Sequence, residues 1–275
     1  MVELRGARAL VTGAGGGLGG YISRAVGGQG TNLVLSDLPG SEIEARAEEL
    51  RRLGVEAHVV PADLTDSAER ERLVREVEEA IGPLDVLINN AGIEHAGTFT
   101  KNSREEIETI VTVNLTAVMD LTLLAVPGML RRRRGHVVNL ASMAGKLPAL
   151  HLATYAATKH GVVGFTHALR AEYADEPLSF SAICPVFITR VGMYAQHAHK
   201  HGEPPPGLRA APPEAVGDAV VEAIREDRAE VIVNRGPIRP LLALYAAAPG
   251  VAIRLLNRGA TRRFAEDYAR ARGRL

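Results

Sequence analysis

The sequence predicts an α/β protein with a doubly wound, seven-stranded parallel sheet and helices on both faces. Seven short apolar runs stand at 7–12, 32–36, 57–61, 86–89, 136–140, 180–184 and 230–234, none with the alternation of a half-exposed strand. Strands buried on both faces of a parallel sheet have this pattern. Longer stretches with helical spacing separate the runs, and strand–helix alternation closes as a parallel sheet with right-handed crossovers. The 275 residues, 46% of them hydrophobic, suit one large α/β domain with a sizeable core.

The elements follow in order. The first run leads into Thr12-Gly13-Ala14-Gly15-Gly16-Gly17-Leu18-Gly19, which opens the first helix. The second ends before Asp37 and is followed by a helix over 41–53; the third leads to Ala62-Asp63-Leu64 and a helix over 67–81. The fourth closes on Asn89-Asn90-Ala91-Gly92, before a long helix over 104–130, and the fifth leads to Ser142 and a helix over 155–173. After the sixth, proline-rich patches at 204–206 and 212–213 mark an excursion before a helix opening near Pro213, then the seventh run. The expected strand order is 3-2-1-4-5-6-7. Residues 1–236 form the expected catalytic and cofactor domain, and 237–275 a C-terminal extension packed on that domain or on a neighbouring subunit.

Two segments carry chemistry. Glycines let a turn adopt conformations closed to other residues and let the backbone approach a pyrophosphate, while a helix start offers unpaired N–H groups to the anion. The alternative for this loop is a simple tight turn. A carboxylate about 20 residues beyond such a loop is placed to hold ribose hydroxyls and to repel the 2′-phosphate of NADP. Asp37 stands there, with no cation at Gly16 or Leu38; its alternative is a cap before Pro39. NAD is therefore the expected cofactor.

In the second segment Ser142 follows a strand end that faces the ligand crevice, and Tyr155 and Lys159 share one face of a helix. An ammonium beside a phenol favours phenolate and lowers its pKa from near 10. Ser142 would hold a substrate oxygen while Tyr155 exchanges its proton, with hydride passing to or from a nicotinamide. Alone, the Tyr-x-x-x-Lys spacing is also a common structural pairing.

Together these motifs resemble the short-chain dehydrogenase/reductase family over roughly residues 5–235, including the thirteen-residue step from Ser142 to Tyr155. The resemblance implies a Rossmann fold and places Asn114, in Val113-Asn114-Leu115, with Ser142, Tyr155 and Lys159 as a fourth catalytic member that bends the long helix and anchors a water linked to the lysine. It implies cofactor contacts at Gly13, Gly16, Gly17, Leu18, Gly19, Asp37, Asp63, Leu64, Asn90, Ala91 and Gly92, at Tyr155 and Lys159, and through Val186 and Ile188. It also implies a homodimer or homotetramer built on the helices over 114–130 and 155–173. The chain departs from the pattern where Val186 follows Pro185, where the hydroxyl of Thr189 comes one residue early, and where Asn234-Arg235-Gly236-Pro237 follows the last strand.

The function read from these residues is NAD-dependent hydride transfer between the nicotinamide and a lipophilic secondary alcohol or ketone. An NADPH-dependent ketoacyl-type reductase and a non-catalytic NAD sensor are the rivals. His95, His151, Phe187 and Met193 are the substrate candidates, and Leu147 and Tyr194 add to an apolar pocket. The formal net charge of zero argues against nucleic acid as a partner, and the single Cys184 against an oxidising compartment. No apolar leader follows Met1 and no long uncharged apolar stretch is read, so a cytoplasmic protein without a membrane span is expected. The arginines at 131–134 read as a solvated helix end. His197, His199 and His201 read as part of a loop over the substrate site, and no metal is expected. The apolar segment 240–256 and the arginines after it leave three options open: packing, cleft cover and association with a membrane surface.

Overall fold

The computed structural model describes residues 2–196, 198–201, 203–205 and 207–273. Its seven strands are β1 (Arg8–Thr12), β2 (Asn32–Ser36), β3 (Ala57–Val59), β4 (Val86–Asn89), β5 (Gly135–Leu140), β6 (Leu178–Pro185) and β7 (Glu230–Val233). They form one parallel sheet in the order β3-β2-β1-β4-β5-β6-β7. At the centre Val11 pairs with Leu35 on one side and Ile88 on the other.

Side chains alternate across a strand, so a sheet covered on both faces needs apolar residues at every position. Val11 and Leu35 face one layer, packed against Ile22 and Val26 of α1 (Gly17–Gly27) and Val216 and Val220 of α9 (Glu214–Glu226); α2 (Ile43–Arg52) completes it. Leu10, Val34 and Phe180 face the other, against Leu73 and Val77 of α3 (Ser67–Ile81) and Leu121 of α5 (Ala117–Arg132). Polar residues inside the sheet are paired across it: Asn89 donates to Asn139 Oδ1 at 2.8 Å, and Asn139 donates to Thr166 of α6 (Ala153–Glu172) at 2.9 Å.

The helix expected over 104–130 is interrupted. A capping box of Ser103 and Glu106 starts α4 (Arg104–Val111), a π turn spans Thr112–Thr116, and α5 continues to Arg133, whose positive φ of 53° ends it. In length and apolarity 104–132 is sufficient to cross a membrane. Here it packs as a core helix: Asn114, Leu121, Ala125 and Met129 are buried, and Asp120 pairs with buried Arg70 at 2.5 Å.

Beyond β6 come the short helices α7 (Gly192–Ala195) and α8 (Ala198–His201). Of the three loop histidines, His199 is exposed on α8, while His197 and the His201 side chain lie outside the described residues. The extension forms α10 (Arg239–Ala247), α11 (Pro249–Leu256) and α12 (Gly259–Arg270). Ile238, Leu241, Leu242, Tyr245 and Leu256 pack on Met143 and Leu147 beyond β5. Val251, Ile253 and Leu255 of α11 remain largely exposed.

Candidate active site

A cleft of about 980 Å³ runs along the carboxyl ends of the strands, touching residues that follow β1, β2, β3, β4, β5 and β6. One half is shaped by backbone. Gly13 has a φ of +65°, and a Cβ on it would stand 2.7 Å from the Cα of Ala91. A Cβ on Gly19 would fall on the carbonyl oxygen of Gly13. No side chain caps the start of α1, its first turn holds no acid, and Gly16, Gly17, Leu18 and Gly19 of that start line the cleft. The Asp37 carboxylate accepts from Gly15 N at 2.9 Å, Gly16 N at 3.2 Å and Leu38 N at 2.8 Å; each of these donors is a backbone N–H. A glycine cradle, a helix start without a side-chain cap and a carboxylate at the end of β2 fit the pyrophosphate and ribose of a dinucleotide.

Gly16, Gly17, Leu18, Asp63, Leu64, Asn90, Ala91, Gly92, Val186 and Ile188 also line the cleft. Several serve the scaffold as well. Asn90 donates to the carbonyls of Thr12 and Gly13 at 2.9 and 3.0 Å, and Asp63 holds Thr65 through backbone and hydroxyl. Ile188 bridges Ala211, and Val186 N donates to Val233 O at 3.1 Å. Thr189, the displaced hydroxyl, is turned to Ala211 instead.

At the cleft floor Ser142 extends from β5, and α6 presents Tyr155 and Lys159 one turn apart. The buried Lys159 Nζ donates to Leu140 O at 2.7 Å and lies 5.7 Å from the centre of the Tyr155 ring. Burial pulls its ammonium down to about 8. Burial, helped by the charge of Glu94, pushes the Tyr155 phenol above its ordinary range; a hydrogen bond from Ser142 draws it partly back. This corrects the expected direction. A lowering by the lysine was expected, whereas loss of water around the phenol and the charge of Glu94 dominate.

Asn114 sits in the π turn and is fully buried. Its amide accepts from Ile93 N and donates to Ile93 O, both at 2.8 Å, and donates to Thr158 at 3.3 Å. A Cβ on Gly92 would stand 3.4 Å from Asn114 Oδ1 and 3.5 Å from Lys159 Nζ, so Asn114 and Lys159 of the expected catalytic set meet beside this loop.

The other half of the cleft is built from side chains. His151, Phe187 and Met193 line it, with Leu147 and Tyr194. His95 does not: its Nδ1 lies 3.6 Å from Glu106 of α4, and its neighbour Glu94 takes the place on the cleft wall. Residue types do not fix which way an extended segment faces, and here the lining residue is Glu94, one before the expected His95. Ile253 and Leu256, from the apolar segment for which cleft cover was one option, line the same wall, and so do Phe264 and Tyr268 of the extension, which were not among the candidates. Phe264 and Tyr268 lie beyond the apolar segment 240–256, and their only local signal is the four-residue spacing that puts two aromatics on one helix face.

The family model for short chain dehydrogenases matches residues 7–201. The ketoacyl reductase HetN of a Nostoc species is 36% identical over 250 residues, covering 91% of this chain and 86% of that protein. A D-beta-hydroxybutyrate dehydrogenase of Cupriavidus necator is 35% identical over 186 residues, covering 67% of this chain and 72% of that one. Among solved structures, an actinorhodin polyketide ketoreductase variant with NADPH superposes with a TM-score of 0.76 at 33% identity, over 86% of this chain and 98% of its own. A short-chain dehydrogenase/reductase from Burkholderia phymatum in complex with NAD gives 0.81 at 26% identity, over 91% and 96%.

Proposed function

Because this chain belongs to the short-chain dehydrogenase/reductase family, whose members act on CH–OH and carbonyl groups, we propose that it interconverts a lipophilic ketone and its secondary alcohol with NAD(H). The observation that carries this reading is the convergence of Ser142, Tyr155 and Lys159 where the glycine loop meets an apolar pocket. A nicotinamide dinucleotide supplies or accepts the hydride when bound. Ser142 holds the substrate oxygen, and Tyr155 gives it a proton or takes one. With the phenol held above its ordinary range, Tyr155 carries its proton at neutral pH and can give it to a carbonyl oxygen in reduction; in the reverse direction the same oxygen receives it.

NAD over NADP rests on Asp37, whose carboxylate opposes a 2′-phosphate at the end of β2. The second reading, an NADPH-dependent ketoacyl-type reductase, is favoured by the relatives named ketoacyl reductase and by the NADPH-bound neighbour. Assembly as a dimer or tetramer through the outer faces of α5 and α6 is supported by Leu123, 71% exposed, and by exposed Met119.

The test joins calorimetry and turnover. NAD is expected to bind at least about tenfold tighter than NADP, or about 1.4 kcal/mol. Tyr155→Phe is expected to keep cofactor affinity and to lose about 10²–10⁴-fold in turnover of 3-oxoacyl thioesters. Equal affinities would move the second reading ahead, and near-normal turnover by the variant would remove Tyr155 from the chemistry.

A further inference from the structure

The C-terminal extension lies where the family resemblance ends, yet it reaches the centre of the cleft. Phe264 and Tyr268 are one turn apart on α12, so they share a face, and both are buried. Both line the cleft. The Phe264 ring lies 5.1 Å from that of Phe187 and 6.1 Å from that of Tyr268, and Phe187 and Tyr194 are 5.0 Å apart. Rings at these separations gain beyond their simple burial.

A polar tie holds this face inward. Arg272 Nη2 donates to Glu94 Oε1 at 2.6 Å, to the Tyr268 hydroxyl oxygen at 2.9 Å and to Met193 O at 2.7 Å. The Tyr268 hydroxyl itself donates to Glu94 Oε1, and the guanidinium carbon stands 3.9 Å from the centre of the Tyr268 ring. The Arg272 and Glu94 side chains are only 11% and 7% exposed. One guanidinium thus joins the end of α12, the loop after β4 and helix α7. A buried ion pair adds little net stability over an apolar replacement, but removing one partner strands the other's charge. The pair therefore acts as a locator.

We propose that α12 is a fixed wall of the substrate cleft: Phe264 and Tyr268 determine specificity, and Arg272 positions them through Glu94. The inference rests on the reading that this cleft takes the carbonyl substrate. It adds that the far wall is aromatic, so an extended apolar chain is selected over a short one. Arg272 touches neither cofactor nor reacting atoms in this assignment.

The test uses the full-length chain. Hydrogen exchange by mass spectrometry on Arg272→Met should show residues 259–273 exchanging at least about tenfold faster, with the glycine loop and α6 unchanged. Arg272→Lys should restore part of that protection. With 3-oxoacyl thioesters of N-acetylcysteamine bearing short, medium and long acyl chains, Arg272→Met and Phe264→Ala should each cut the long-over-short ratio of kcat/KM by about tenfold. The loss should appear in KM, with cofactor affinity within about threefold. Phe264→Ala leaves the ion pair untouched and tests the wall even if Arg272→Met folds poorly. Unchanged protection of α12 in Arg272→Met would overturn the proposal, as would an unchanged chain-length ratio in Phe264→Ala. Absence of turnover by the wild-type chain on every thioester would fault the carbonyl reading, while the exchange result would still judge how α12 is held.

Discussion

The two halves of the cleft meet at Tyr155 but are made of different material. On the cofactor side the surface is main chain: glycines at 13, 15, 16, 17 and 19, a helix start without a side-chain cap, and a carboxylate bound by backbone N–H groups. On the substrate side it is a set of side chains drawn from the segment after β6, from α7 and from α12, tied together by the buried Arg272 guanidinium. A backbone surface is set by what the chain cannot add, since any Cβ at Gly13 or Gly19 would overlap a neighbouring strand or turn. A side-chain surface is set by which residues meet, and each can be exchanged separately. The first half therefore suits a ligand common to many enzymes, and the second a ligand that differs among them.

Substitutions can break this contrast. Gly19→Val places a Cβ on Gly13 O and 2.7 Å from Ala14 Cα, so the loop must move as a whole. Cofactor affinity is expected to fall at least about 100-fold, or about 2.7 kcal/mol, by calorimetry. Normal binding would show that the loop is not a rigid cradle.

Lys159→Met probes the junction between the halves. The folded protein holds this ammonium near 8, below the free-lysine value of 10.5. Folding therefore carries a penalty that is fully present below pH 8, is relieved as pH rises from 8 to 10.5, and is absent above. Replacing the lysine removes the penalty and costs the hydrogen bond to Leu140 O, a net gain of roughly 2 kcal/mol near pH 7. Chemical denaturation across pH 6–10 should show a rise for the wild type and a flatter curve for the variant, with turnover lost. A variant less stable at neutral pH would mean that Lys159 supports the fold.

The smallest effect sharpens the cofactor side. Asp37→Asn can keep an oxygen acceptor for the Gly15 and Gly16 N–H groups while removing the charge and the acceptor for Leu38 N. NADP affinity is expected to rise about tenfold, or about 1.4 kcal/mol, with NAD affinity little changed. An unchanged ratio of the two affinities would mean that Asp37 shapes the loop without selecting the cofactor.

The same contrast explains what the sequence makes legible. The sheet order could be read because every strand is a local apolar run and every crossover has one permitted hand. The glycine loop, Asp37 and the Ser142–Tyr155–Lys159 spacing are local too, within one strand–helix unit or the next. Glu94 and Arg272 are 178 residues apart, and neither has a neighbour that marks it as buried. His95 was a substrate candidate and Glu94 was not considered, because the residue types alone do not say which faces the cleft. The direction of the Tyr155 shift was misread for a related reason: sequence shows a lysine four residues away but not how little water reaches either group.

The π turn at Thr112–Thr116 has a consequence for the outside of the molecule. An α-helix advances about 100° per residue, and a five-residue bond such as Ala117 N to Thr112 O inserts one extra residue into that count. Asn114 is thereby aimed at Ile93, while Met119 and Leu123, on the continuation of the same rod, emerge toward solvent. Deleting one residue from the turn would restore regular winding and rotate one end against the other by about a quarter turn. Either the amide would leave the loop beside Lys159, or the outer apolar stripe would swing out of line. The phase of this helix thus ties the orientation of the loop at Gly92–Ile93 to that of the molecule's outer face.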